Sequence, residues 1–299
     1  ILRDDWGFKG FVESDWILGT RSTAASINAG MDIEMPSAYR FEHEKILKAL
    51  ADGELSEATI KRNARRAMYQ KVAFGLNDMI APETSVVECQ AHIALAQEVA
   101  EKSFVLLKNA EVLPLTDMAG LKIAVVGDLA DTINLGDRGS SHVSSTEVST
   151  PLGGLKAYVK DAQITYFASD SDLTSLAAFD VCIVVAGLTY IEEGEFIPTQ
   201  QQEAEGSNLA RGGDRVDLRL PEKQEQLIFA AAKAPISIVL LEGGSAIEVS
   251  PWLDEVDALL MIWYPGREGG HAVARTLFGD VNPSARLPVS FPHAIGDLM

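Results

Sequence analysis

Gly7-Phe8-Lys9-Gly10-Phe11-Val12-Glu13-Ser14-Asp15-Trp16, with Ala29-Gly30-Met31-Asp32-Ile33-Glu34-Met35-Pro36 close behind it, decides how the start of this chain folds. Phe11 and Val12 predict a short buried strand that ends in Ser14-Asp15-Trp16. That places a carboxylate and a large aromatic at the strand's carboxyl tip. In a barrel of parallel strands, chemistry sits at that tip. A carboxylate beside an aromatic platform suits a sugar, because one group meets the anomeric carbon and the other stacks on the ring's apolar face. The plainer alternative for Asp15 is a turn or helix-cap residue.

Outward from this stretch, Ser22 to Asn28 reads as a helix stopped by Gly30, and Met31 to Met35 as a second strand closed by Pro36. Glu42 to Leu50 is a predicted helix ended by Asp52-Gly53. Ser56 caps the next, Glu57 to Phe74, with Gly75 as its stop. Two strands, each followed by helix, make βα units. A (β/α)₈ barrel needs on the order of 250 residues. Two units with open edges are not expected to stand alone. The remaining barrel segment is therefore expected in cis or on a second chain.

Residues 77–88 read as a linker, and the sequence divides into 1–76 and 89–299 around it. His92 to Leu106 is a predicted helix. Leu121 to Gly127, Gln163 to Phe167, Val181 to Gly187, Ser237 to Glu242 and Ala258 to Trp263 are apolar strands. Helices are expected over Pro221 to Ala232 and Gly270 to Phe278. Continuous apolar strands alternating with helices predict a mainly parallel sheet covered on both faces. The fold class is α/β: terminal βα units of a barrel, followed by an α/β sandwich.

The 299 residues carry a net charge of -18, placed unevenly. Residues 1–76 hold 11 Lys/Arg and 11 Asp/Glu; the rest hold 14 and 32, and so carry all of the excess. With no basic stripe to meet phosphates, nucleic acid is excluded as a partner. No apolar run is long enough for a membrane span, and no leader marks the compartment, which stays open. Cys89 and Cys182 form no metal-ligand spacing, and Cys182 reads as a buried apolar residue. No cofactor and no metal are implied.

The first stretch resembles the nucleophile region of glycoside hydrolase family 3, with Asp15 on the nucleophile position and Trp16 at the sugar entrance. The long segment after Gly187 (Leu188-Thr189-Tyr190-Ile191-Glu192-Glu193-Gly194-Glu195-Phe196, then Gly213-Asp214-Arg215 and Leu220-Pro221) resembles the stretch that carries the family's acid/base glutamate. Glu193 is the first choice for that role, Glu195 a close second, and Glu192 and Glu205 are outside candidates. Most of these glutamates are expected to be a solvated acidic loop. Gly136-Asp137-Arg138-Gly139-Ser140-Ser141 resembles a loop that reaches toward the sugar pocket, which makes Arg138 and Ser140 candidate substrate contacts. The loop lacks both GxGxxG and a P-loop lysine, so a nucleotide reading fails. Trp263-Tyr264-Pro265-Gly266-Arg267-Glu268-Gly269-Gly270 also matches the family and reads as structural, with Glu268 and Arg267 satisfying loop backbone.

The resemblance implies a retaining exo-β-glycosidase, a β-glucosidase first, acting on a β-glycoside or oligosaccharide by double displacement. Such an enzyme needs a nucleophilic carboxylate and a second carboxyl about 5–5.5 Å away. A β-xylosidase is the alternative within the family. A non-catalytic sugar-binding or structural remnant is the alternative outside it, and the isolated chain is expected to be inactive.

Overall fold

Ser14 fixes the first strand. It is the only buried residue of β1 (Glu13–Trp16), and its Oγ accepts a hydrogen bond of 2.9 Å from the Met35 amide of β2 (Ile33–Met35), which runs parallel to it. The strand starts two residues later than the apolar pair Phe11-Val12 predicts. Val12 is held instead by Asp32: its amide donates to the Asp32 carboxylate (2.8 Å), and its carbonyl accepts from the Asp32 amide (2.8 Å). Between the strands lies α1 (Ala24–Ala29), ended by Gly30 at φ 99°. Helices α2 (His43–Ala51) and α3 (Glu57–Ala73) follow, the second capped by Ser56 Oγ accepting from the Thr59 amide at 3.1 Å.

This computed structural model describes residues 1–78, 83–116, 120–136, 140–159, 163–194, 215 and 217–298. The chain divides into two units, Ile1–Glu83 and Thr84–Met299. In the first unit, Ile27, Ala49 and Leu55 form the buried apolar cluster, with Phe41, Ile46 and Leu50 packed against it.

The second unit begins with α4 (Gln90–Ser103), which runs directly into strand β3 (Val105–Asn109). Then come β4 (Ile123–Val126), α5 (Pro151–Tyr158), β5 (Ile164–Phe167), β6 (Val181–Gly187) and a single turn, α6 (Tyr190–Glu193). Helix α7 (Glu222–Ala231), β7 (Ile236–Glu242), β8 (Ala258–Met261) and α8 (Gly269–Leu277) complete it. The sheet order is β3-β8-β7-β6-β4-β5, parallel throughout except for β3, which pairs antiparallel with β8 at the edge.

All seven residues of β6 are buried because alternate side chains enter different layers. Ile183 and Val185 pack with α4, α5 and α8, while Cys182, Val184 and Ala186 pack with α7 and Trp252. Each fully buried aliphatic side chain contributes about 1.5–3 kcal/mol, which explains why the central strands carry no polar alternation. Cys182 is a buried free thiol, pushed up to about 11 by desolvation, and Cys89 is free as well. Helices α5 and α8 meet backbone to backbone: a Cβ on Gly154 would lie 2.0 Å from the Gly270 carbonyl.

Candidate active-site residues

Asp15 lies within β1, one residue before its end, on the exposed side. Among the described residues its carboxylate takes one hydrogen bond, from the neighbouring Trp16 amide at 2.6 Å. Among the described residues its other oxygen takes no hydrogen bond. The Trp16 side chain is about half exposed beside it. The next residue, Ile17, sits at φ 56°. A β-branched residue there costs on the order of 1–3 kcal/mol, a strain that collects at functional sites. The Ile17 amide is held by the Met35 carbonyl (3.0 Å), and the Leu18 amide turns back to the Trp16 carbonyl (2.5 Å).

Behind this strand, the buried Asp32 carboxylate pairs with Arg3 (2.6 Å) and Arg66 (3.3 Å). Arg3 also donates to the Gly10 and Gly30 carbonyls at 2.8 and 3.0 Å. Glu34 accepts from the Arg40 and Phe41 amides, each at 2.7 Å. The acidic residues of the second sequence signature therefore anchor backbone around the Asp15 strand. Sequence reasoning gave them no role, although an Asp-x-Glu alternation on a buried strand demands partners.

In the second unit the direction of strand addition reverses between β4 and β6. Ligands of open α/β sheets bind at the carboxyl ends of strands at such a reversal. The segments that follow these two strands hold the remaining candidates. Arg138 lies outside the described residues, and Ser140 is an exposed loop residue after β4. Glu195 and Glu205 also lie outside the described residues.

The segment after β6 is built tightly. A Cβ on Gly187 would meet the Glu242 carbonyl at 2.0 Å, and the backbone there has φ 151°, so only glycine fits. Gln224 of α7 closes both backbone groups of Gly187, at 2.6 and 2.9 Å. Thr189 then caps α6: its hydroxyl accepts from the Ile191 amide (3.1 Å), and Glu192 Oε2 accepts from the Thr189 amide (2.8 Å) and hydroxyl (2.7 Å). Glu192 is thereby spent as a capping residue.

The Glu193 carboxylate accepts from three donors: the Gly244 amide, Ser245 Oγ (2.7 Å) and Tyr264 Oη (2.6 Å). Burial, then Glu193 itself, raises the Tyr264 hydroxyl well above its ordinary value. Ser245 Oγ also accepts from Arg215 (3.0 Å), which further donates to the Ala246 carbonyl (2.7 Å). Beneath this cluster the buried Glu242 carboxyl is pushed up to about 8 by desolvation, and Asn134 donates to it at 2.8 Å. Asn134 also donates to the Leu188 carbonyl (3.0 Å), linking the segments after β4, β6 and β7.

Arg267 serves side chains rather than the loop backbone. It donates to Glu88 (2.6 Å), Ser145 (3.2 Å) and Glu268 (3.0 Å). Glu88 also accepts from Ser145 and Thr146, and those bonds, with Arg267, hold its carboxyl down at about 2. Among the described residues there is no group of three metal-ligating side chains and no helix long and apolar enough to cross a membrane.

These features define an α/β chain with an accessible carboxylate on a parallel strand and a loop cluster at the carboxyl end of a second sheet. Residues 1–69 match the glycosyl hydrolase family 3 N-terminal domain, and residues 104–299 match its C-terminal domain. A β-glucosidase of Rhizobium radiobacter is 27% identical over 441 residues, taking in 99% of this chain and 54% of that protein. An exo-α-(1→6)-L-arabinopyranosidase of Bifidobacterium breve is 31% identical over 324 residues, covering 99% of this chain and 39% of the relative. The solved family 3 β-glucosidase of Bifidobacterium adolescentis superposes with a TM-score of 0.80 at 31% identity, covering 99% of this chain and 42% of that one. The chain belongs to glycoside hydrolase family 3. It spans between 39% and 54% of the length of these relatives.

Proposed function

We propose that this chain is the part of a retaining exo-β-glycosidase that carries both catalytic carboxyls, and that the enzyme is a β-glucosidase. The observation that carries this reading is Asp15, whose carboxylate is exposed beside Trp16 on a parallel strand and keeps one oxygen open among the described residues. Asp15 attacks the anomeric carbon, the bond to the leaving oxygen breaks, and a glycosyl ester forms. A glutamate donates its proton to that oxygen, then takes one from the water that opens the ester.

Of the two leading glutamates we take Glu195 as the acid/base, because of what Glu193 already bonds. Both Glu193 oxygens are already engaged by Gly244, Ser245 and Tyr264, whereas an acid/base must exchange its proton with substrate. Glu193 is then the residue that holds the loop. The family assignment supports the glycosidase class, and the β-glucosidase relatives support the sugar.

The test uses the complete enzyme, with its barrel whole. Asp15→Ala should lower hydrolysis of an aryl β-D-glucoside by about 10⁴-fold or more. A 2-fluoro-2-deoxyglucoside should leave a covalent mass adduct on the peptide containing Asp15. Retained turnover in Asp15→Ala, or an adduct on another peptide, rejects the assignment. A panel of β-D-xyloside and α-L-arabinopyranoside reads the sugar.

A further inference from the structure

The segment that carries the proposed acid/base lies between Glu193, at the end of α6, and Arg215, which precedes α7. Twenty-two positions separate these residues. Both stems end on one atom, the hydroxyl oxygen of Ser245 in the turn after β7, which donates to Glu193 Oε2 (2.7 Å) and accepts from Arg215 Nη1 (3.0 Å). A hydroxyl has one proton to give and lone pairs to receive, so Ser245 meets the carboxylate and the guanidinium at once, each through a charge-assisted bond. The neighbouring Gly244 amide and Tyr264 Oη complete the grip on Glu193. A larger residue before the serine would crowd the cluster: a Cβ on Gly244 would lie 3.2 Å from Glu193 Oε1 and 3.3 Å from the Tyr264 ring. Arg215 is secured to the same turn a second time, through the Ala246 carbonyl.

Closing the ends of a segment on one atom lowers the entropy cost of bringing them together. Misplacement of an acid/base by about 1 Å can cost on the order of 10²-fold in rate.

We propose that Ser245 is a positioning residue for the glycosidase reaction: its hydroxyl clamps both stems of the loop that carries the acid/base, with Glu193, Arg215 and Tyr264 as the clamp's other members. This rests on the reading of that loop given above.

The discriminating measurement is leaving-group dependence in the complete enzyme. Proton donation matters for a poor leaving group such as methanol or phenol and hardly at all for 2,4-dinitrophenol. In Ser245→Ala, and independently in Tyr264→Phe, kcat/KM for the poor leaving groups should fall by about 10–10²-fold. For the 2,4-dinitrophenyl glycoside kcat/KM, which reports the glycosylation step, should stay within about threefold. Ser245→Thr, which keeps the hydroxyl, should restore most of the loss.

An equal fall for all leaving groups, or no fall in Tyr264→Phe where folding is undisturbed, overturns the positioning role. Glu195→Gln run beside these variants separates the two readings. If it shows the leaving-group signature and Ser245→Ala does not, only the clamp fails. If Glu195→Gln shows none, Glu195 is not the acid/base, and the reading of Glu193 as a clamp member falls with it.

Discussion

Glu242 sits at the end of β7 with its carboxyl wholly buried and, among the described residues, Asn134 as its side-chain partner. Among the described residues no cation pairs with it. Burial therefore keeps the proton on, up to about 8. The sign follows directly. A carboxyl raised in the folded state binds its proton more tightly there than in the unfolded chain, so its contribution is full below about 4.5 and is lost as pH rises through about 8. Urea unfolding should show this group costing up to about 4 kcal/mol between pH 5 and pH 8. Glu242→Gln, which keeps the shape without the ionisation, should flatten that slope. An unchanged slope would mean Glu242 is ionised in the fold. Glu88 behaves in the opposite sense: held at about 2, its contribution is present above about 4.5 and is lost on acidification. Neither role was legible beforehand. Glu242 ends an apolar strand, and the Asn134 that satisfies it lies more than a hundred positions earlier. The placement of Asp15 on a strand beside an exposed Trp16 was legible because strand, carboxylate and aromatic are adjacent in sequence. Glu193 was singled out from its own segment, but its three donors come from the turns after β7 and β8, which no local pattern connects to it.

At the scale of elements, Val181–Gly187 shows what periodicity can give. The predicted and observed strand coincide because Gly187 ends an unbroken apolar run. Two elements escaped. Strand β3 follows α4 with only Phe104 between them, and its apolar residues extend the helical pattern without a breaker. Nothing local announces that the chain pairs with β8 there. Helix α5 carries Gly153-Gly154, which weakens helical propensity, yet Thr150-Pro151 is a cap followed by proline at the first position. That cap was the available signal. Thr150 Oγ1 accepts from the Gly153 amide at 3.1 Å and bonds Asp131 at 3.2 Å, tying the helix start to the segment after β4. Thr150→Ala should cost about 1 kcal/mol and lower the melting temperature by about 2–4 °C, measured by calorimetry. Thr150→Ser, which keeps the oxygen, should recover most of it. A larger loss would indicate that the Gly154–Gly270 contact between α5 and α8 depends on the cap.

At the scale of the molecule, the two units differ in what they can bury. The second has apolar clusters on both faces of a six-stranded sheet, with Trp252 fully enclosed in one of them. The first has two paired strands and three buried apolar side chains, while Trp6, Phe8, Trp16, Ile17 and Leu18 are exposed. Ion pairs around Asp32 organise it locally, but such pairs do not replace a core. A small unit with so little apolar burial falls short of the conformational entropy it must overcome. Residues 84–299 produced alone should therefore fold, with blue-shifted emission from Trp252 and a cooperative urea transition. Residues 1–83 alone should emit from Trp6 and Trp16 in a water-like environment and melt without cooperativity. The four tryptophans divide evenly between the units, so one fluorophore reports both. A sharp cooperative transition in residues 1–83 would mean that the arginine–aspartate cluster suffices to order the strand bearing Asp15. The absence of one places the ordering of that strand outside residues 1–83.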